Sequence, residues 1–217
     1  MSKDTKLQRR DLLRGGVAVV AVAAAGRTFA TAPTPTQPEG PFYPKQQPVD
    51  SDADLTHVEG REGTAEGQVI RVSGQVLDED GQPVADARVD VWQANSHGRY
   101  DHEDDPANAP LDPNFQGSAV LRTDADGRYA FTTIKPAAYA AMEDWTRPPH
   151  IHFKVARRGY RELITQMYFA GEPLNEKDAL FLDTPEAERH RLVVDFQHDG
   201  GVPKGHFDIV LGRVRPA

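Results

Sequence analysis

The chain has 217 residues, no cysteine and a formal net charge of −8, which leaves room for one domain and a tail. Without cysteine there are no disulfides, no thiolate metal sites and no Cys nucleophile, so any metal must use His, Tyr, Asp or Glu. The acidic balance argues against nucleic acid or an anionic membrane as partner.

Arg9-Arg10-Asp11-Leu12-Leu13-Arg14 opens a run of Gly, Val and Ala from Gly15 to Gly26. That run is too short to span a bilayer. Residues 1–30 resemble a Tat-type export signal, with cleavage expected after Ala30 or Ala32; a Sec signal or a membrane anchor is the alternative. Export of this kind places the mature chain in the periplasm or outside the cell, with no stable membrane insertion once the signal is removed. Residues 31–67 form an extended, Pro-rich N-terminal segment. It starts with TAPTPTQP, passes through the turn-rich Glu39-Gly40-Pro41-Phe42-Tyr43-Pro44, and ends in a polar stretch without a period.

Residues 68–217 make the body. Strands are expected at 68–77, 87–92, 119–123, 128–134, 151–156, 163–169, 191–196 and 206–211, with Gly/Asp turns at 78–83 and 124–127 and a long acidic loop at 98–117. One short helix is expected within 175–182. Short strands, tight turns and at most one or two short helices predict an all-β sandwich of mostly antiparallel strands with long loops. The pattern of 74–87 and 123–131 also occurs in transthyretin-like binding modules, so the fold alone does not decide for an enzyme.

Arg147-Pro148-Pro149-His150-Ile151-His152-Phe153 carries the chemistry. As a strand it points Ile151, Phe153 and Val155 to one face and His150, His152 and Lys154 to the other. One face builds a core, and the other offers two nitrogen donors able to share one metal ion. Alone, such a pair reads equally well as two half-exposed strand histidines.

Two further strands end in a tyrosine, at Val91-Trp92-Gln93-Ala94-Asn95-Ser96-His97-Gly98-Arg99-Tyr100 and Ile134-Lys135-Pro136-Ala137-Ala138-Tyr139. Together with the histidine stretch, residues 39–44 and Leu163-Ile164-Thr165-Gln166-Met167-Tyr168-Phe169, they resemble the intradiol ring-cleavage dioxygenases, the protocatechuate type above all. The resemblance covers about residues 36–212. It implies a non-haem Fe(III) held by Tyr100, Tyr139, His150 and His152, with Tyr139 leaving when substrate chelates. It implies that Arg147 supports negative charge developing on the substrate and that Gln166 lies near the ring. The implied reaction cleaves a catechol-type ring with O₂ between its two hydroxylated carbons, giving a cis,cis-muconate-type diacid. A free tyrosine, with a pKa of about 10, is a poor ligand, but a hard trivalent cation displaces its proton. A non-catalytic transthyretin-like module, the alternative, would need no such donor set. Ala141 stands where the protocatechuate type carries a tryptophan, which leaves the substrate's identity open. Homo-oligomerisation also stays open.

Tyr43 is read as a substrate-pocket residue or as a staple for the N-terminal segment, and Trp145 as pocket wall. His97 is a candidate neighbour of Tyr100. Tyr129, Tyr160 and Tyr168 are read as packing residues, and His57, His102, His190, His198 and His206 as surface or capping residues. The acidic run 101–105 reads as a solvated loop rather than a Ca²⁺ site.

Overall fold

The computed structural model describes residues 31–46 and 52–215; the reading of residues 1–30 as an export signal lies outside them. Strand β1 (Val69–Asp78) sends Ile70, Val72 and Val76 inward and Arg71 and Gln75 toward the surface. It pairs antiparallel with β4 (Arg128–Ile134) on one edge. On the other edge it pairs in parallel with β10 (Lys204–His206) and then β11 (Ile209–Leu211). The second sheet runs β3 (Ser118–Arg122), β2 (Arg88–Trp92), β7 (His150–Ala156), β8 (Leu163–Phe169), β9 (Val193–Val194). Its pairs are antiparallel except β8–β9. The two sheets pack face to face. Phe153 of β7 meets Tyr129 and Phe131 of β4 at 6.1 Å and Phe207 at 5.1 Å. Burying a side chain of this size contributes roughly 1.5–3 kcal/mol. The expected all-β sandwich is the observed fold.

The second sheet differs from the first in being buried on both faces at its middle. Every residue of β2 from Val89 to Trp92 and of β7 from His150 to Phe153 is buried. One face meets the core. The other lies under the N-terminal segment, which is extended as its composition suggests but docked rather than free. Thr34 N–H donates to Val210 O, Gln37 N–H to Ile164 O, and Thr165 Oγ1 to Pro35 O.

Several elements depart from the expected pattern. The strand expected at 206–211 is interrupted at Phe207 and Asp208. Phe207 O accepts from the Tyr129 hydroxyl, and Gln75 N–H takes the Asp208 carboxylate in place of a backbone carbonyl. Gly74 permits this, since a Cβ there would sit 1.9 Å from Phe207 O. The strand expected at 191–196 shrinks to Val193–Val194. Helical hydrogen bonds from Arg191 to Glu188 and from Leu192 to Arg189 consume its start. The helix expected within 175–182 splits into a 3₁₀ turn (Asn175–Lys177) and α1 (Ala179–Asp183), separated by an extended Asp178. A second short helix, α2 (Glu186–Arg189), follows. A hairpin of β5 (Tyr139–Met142) and β6 (Trp145–Arg147), absent from the sequence reading, joins β4 to β7. Among the described residues no helix is long and apolar enough to cross a membrane.

Candidate metal centre

The strand register assembles the site. Trp92, His152 and Gln166 lie abreast on β2, β7 and β8, and His150 lies opposite Tyr168. Directly paired residues of antiparallel strands share a face, so all five point away from the core toward the N-terminal segment. His152 stacks on Trp92 with ring centroids 4.7 Å apart and planes within 10°. The His150 Nδ1 lies 2.7 Å from Pro148 O. A carbonyl can only accept, so this nitrogen carries the proton and Nε2 keeps its lone pair, the tautomer a metal-binding histidine needs. The two Nε2 atoms are 3.1 Å apart, and the Tyr100 hydroxyl is 3.3 Å from His150 Nε2.

The two tyrosines arrive on adjoining turns. Asn95, itself buried, accepts from the N–H groups of His97 and Arg99 through its side chain. Its carbonyl accepts from Gly98 and Ala137. Gly98 has φ +78°, and a Cβ there would lie 2.7 Å from Ala138 O; only glycine lets the turns that carry Tyr100 and Tyr139 touch. The two tyrosine rings meet edge to face at 5.5 Å, and Tyr139 lies 5.8 Å from the His150 ring. Phe42 packs on Tyr100 at 4.7 Å and on Tyr139 at 6.5 Å. Tyr100, His150 and His152 are buried, and Tyr139 is half-buried.

Arg147 ends β6 opposite Tyr139. Its Nε donates to Asp178 Oδ1 at 2.9 Å, and its Nη2 reaches Gln166 Oε1 at 2.6 Å, Tyr168 at 3.2 Å and Asp178 Oδ2 at 3.3 Å. Asp178 also accepts from Trp145 Nε1 and from Phe181 N–H. A buried ion pair is tolerable only when its remaining lone pairs are satisfied, and here both Asp178 oxygens accept at least two donors. Gln166 bridges Arg147 to the N-terminal segment by donating from Nε2 to Pro38 O. The Tyr168 hydroxyl faces Gln37, Gln166 and Asp178, and its single proton serves one of them. Tyr168 is therefore more than a packing residue. Asp178 was not among the sequence candidates. Its only visible mark is an Asp ahead of an apolar helix, an ordinary N-cap.

The remaining candidates sort plainly. Tyr43 donates to Asp90 at 2.6 Å and abuts the edge of Trp92 at 5.0 Å, so the structure gives it the staple's position. Burial and Asp90 push its pKa up to about 12. Trp145 packs against Arg147 at 5.5 Å. His97 pairs with Glu66 rather than with Tyr100. His102 caps the Asp104 N–H, as a capping residue should, yet its side chain is only 5% exposed. The acidic run is tied into its own loop, Asp105 accepting from Tyr100 N–H and Lys45 bridging Glu103 and Asp104.

Electrostatics sharpen the picture. Burial and the Arg147 charge push His150 down to about 3, and His152 falls well below its ordinary value through burial, His150 and Arg147. Both imidazoles are thus neutral and ready to bind a cation. Burial raises Tyr100 well above the usual phenol, and raises Tyr139 despite the opposing pull of Arg147. Only a strong local positive charge would turn them into phenolates. Among the described residues no group of three or more His, Asp or Glu gathers to hold a metal. The donor set is two phenols and two imidazoles, which suits a hard, highly charged transition-metal ion.

A family model described as "Dioxygenase" matches residues 38–212. The chain is 47% identical over 180 residues to the protocatechuate 3,4-dioxygenase beta chain of Burkholderia cepacia, covering 79% of this chain and 76% of that one. It is 36% identical over 161 residues to catechol 1,2-dioxygenase 2 of Acinetobacter lwoffii, covering 68% of this chain and 55% of the relative, so it spans about half of that protein. Among solved structures it matches the dioxygenase domain of a dioxygenase carbohydrate-binding protein fusion from Streptomyces sp. SirexAA-E. That match has a TM-score of 0.65 and 32% identity, over 84% of this chain and 100% of that one.

Proposed function

The chain belongs to the intradiol ring-cleavage dioxygenases, and from that premise we propose that it is an exported, non-haem Fe(III) enzyme acting on a catechol-type ring. O₂ enters between the two hydroxylated carbons, both of its atoms are retained, and the product is a cis,cis-muconate-type diacid. The observation that carries this reading is the convergence of Tyr100, Tyr139, His150 and His152 on one buried point beside Arg147. Held by these four residues, Fe(III) would supply the Lewis acidity that draws in a catecholate and the redox character that makes its ring reactive toward O₂.

The chain's own residues do the rest. Tyr139, the least buried of the four donors, sits at the base of an exposed hairpin, and as a metal-bound phenolate it would take a catechol proton on leaving. The Arg147 guanidinium stays charged, its pKa raised, despite burial, by the Asp178 carboxylate beside it. It sets a fixed positive charge where negative charge grows on the ring. Trp92 and the N-terminal segment hold His152 and Gln166 away from bulk water. Ala140, Ala141 and Met142 of β5 are exposed, which suits a site open to ring substituents. The named activities of the relatives support the catechol class without choosing a member. Export rests on the Arg9-Arg10 leader, and a folded-protein route suits a chain loaded with its metal before transport.

Metal analysis and the visible spectrum test this directly. About one iron per subunit, a reddish ferric-phenolate absorption and O₂-dependent conversion of catechols to diacids are expected. Zinc or copper at full occupancy, with no iron-dependent activity, would remove the reading.

A further inference from the structure

Asp178 is buried with 0% exposure and meets two functions at once. Its backbone, at φ −82° and ψ 116°, leaves the helical path between the 3₁₀ turn and α1. Its carboxylate accepts the Phe181 N–H as an N-cap and grips the Nε and Nη2 side of Arg147. A cap alone would need one oxygen and no buried ion pair. The grip is one-sided. Across the hairpin Arg147 pairs with Tyr139, so the arginine is held by the carboxylate at one edge while its strand lies against the one that carries the tyrosine. Trp145, two residues before Arg147 on β6, donates to the same Oδ1 that Arg147 Nε uses. One carboxylate oxygen therefore fixes both Trp145 and Arg147 of β6, and the paired strand β5 holds Tyr139 opposite Arg147 across the hairpin.

We propose that Asp178 is the positioning residue for ring cleavage: it sets the plane of the Arg147 guanidinium and anchors the hairpin that brings Tyr139 to the same point. The proposal rests on the reading of Arg147 as the group that meets charge on the ring. None of its hydrogen bonds goes to the four donors; it acts through Arg147 and Trp145. A planar cation gripped along its Nε–Nη2 edge by both oxygens of one carboxylate is held against rotation, whereas one that meets a single neutral acceptor there can turn. Misplacing such a group by about 1 Å typically costs on the order of 10²-fold in rate.

The test is Asp178→Asn in the iron-loaded protein. Asparagine keeps the size and the capping oxygen but lacks the second anionic acceptor for Arg147. Expected are normal iron content, a ferric absorption band retained but shifted as the hairpin carrying Tyr139 loses an anchor, KM within a few-fold of wild type, and kcat lower by on the order of 10²-fold. The double variant with Arg147→Lys should be no slower than the slower single variant, because both changes disable one unit. A lower melting temperature with wild-type kcat, or multiplicative losses in the double variant, would overturn the proposal and leave Asp178 a structural cap. If Asp178→Asn does not accumulate as folded protein, Trp145→Phe removes one hydrogen bond to Oδ1 while sparing the ion pair. It should lower kcat several-fold at unchanged KM, and wild-type kcat there overturns the proposal equally. Wild-type protein that loads no iron or cleaves no catechol overturns the functional reading and this proposal together; an active wild type with an equally active Asp178→Asn overturns this one alone.

Discussion

Stripped of metal, the protein should lose stability on mild acidification through His150. Its ring is buried, its Nδ1 proton is committed to Pro148 O, and burial together with Arg147 holds its pKa near 3 against 6.5 in a free chain. Below pH 6.5 the unfolded chain therefore binds a proton that the folded chain refuses until about pH 3. Stability rises with pH wherever the unfolded state binds more protons, so it falls as pH drops through this window. Between pH 7 and pH 5 the difference in proton binding integrates to about 1.4 pH units, or about 2 kcal/mol from His150 at 1.36 kcal/mol per unit. His152 shifts in the same direction and adds to the loss. The comparison that isolates His150 is His150→Asn, whose amide can still donate to Pro148 O. Urea unfolding of iron-stripped wild type and variant, at pH 7 and pH 5, should show wild type losing about 2 kcal/mol more than the variant. Equal losses in the two proteins would refute the reasoning, since the proton would then not be excluded from the folded ring.

Tyr100→Phe should abolish both the visible band and activity, whereas Tyr139→Phe should retain iron but turn over slowly; a Tyr139→Phe protein with wild-type spectrum and rate would remove that residue from the donor set. Gly98→Ala forces a side chain into φ +78° and against Ala138 O. It should cost about 1–3 kcal/mol in urea unfolding and shift the ferric band, because the turn carrying Tyr139 must move; an unchanged unfolding midpoint contradicts this. Replacing Arg9 and Arg10 together by Lys should leave folded, active precursor in the cytoplasm, and normal recovery outside it argues against a twin-arginine route.

Strand alternation made much of the fold legible. Arg128–Ile134 falls where the two-residue period puts it, Leu163–Phe169 begins and ends as expected without that period, and the His150/His152 face follows from the alternation of its strand. What stayed hidden depends on contacts between distant residues. Asp178 looks like a surface cap until Arg147, 31 residues earlier, is folded against it. The β5–β6 hairpin has no alternation to announce it, only alanines, a methionine and two acids around a tight turn. Gln37 sits in a Pro/Thr stretch whose composition argues for a tether. Its amide instead reaches Tyr168, Leu180 and Thr184, and no local pattern records that. Phe42 reads locally as one residue of a turn-rich stretch, because its contact with both tyrosines needs the segment to be docked.

The docked N-terminal segment also sets an order of assembly. Pro38 meets Gln166 across 128 residues of chain, and Gln37 meets Thr184 across 147. The segment emerges first from the ribosome but closes over β8 and the helices that follow it, all made near the end. Contacts of such long sequence separation form slowly, since loop-closure entropy is lost before they reward it. The lining around Gln166 and Arg147 is therefore complete only after synthesis has nearly finished, and a nascent chain arrested before residue 184 presents its histidines on an unroofed sheet. The four donors thus reach their final surroundings only when the chain is nearly complete, an order that the topology imposes without any separate device.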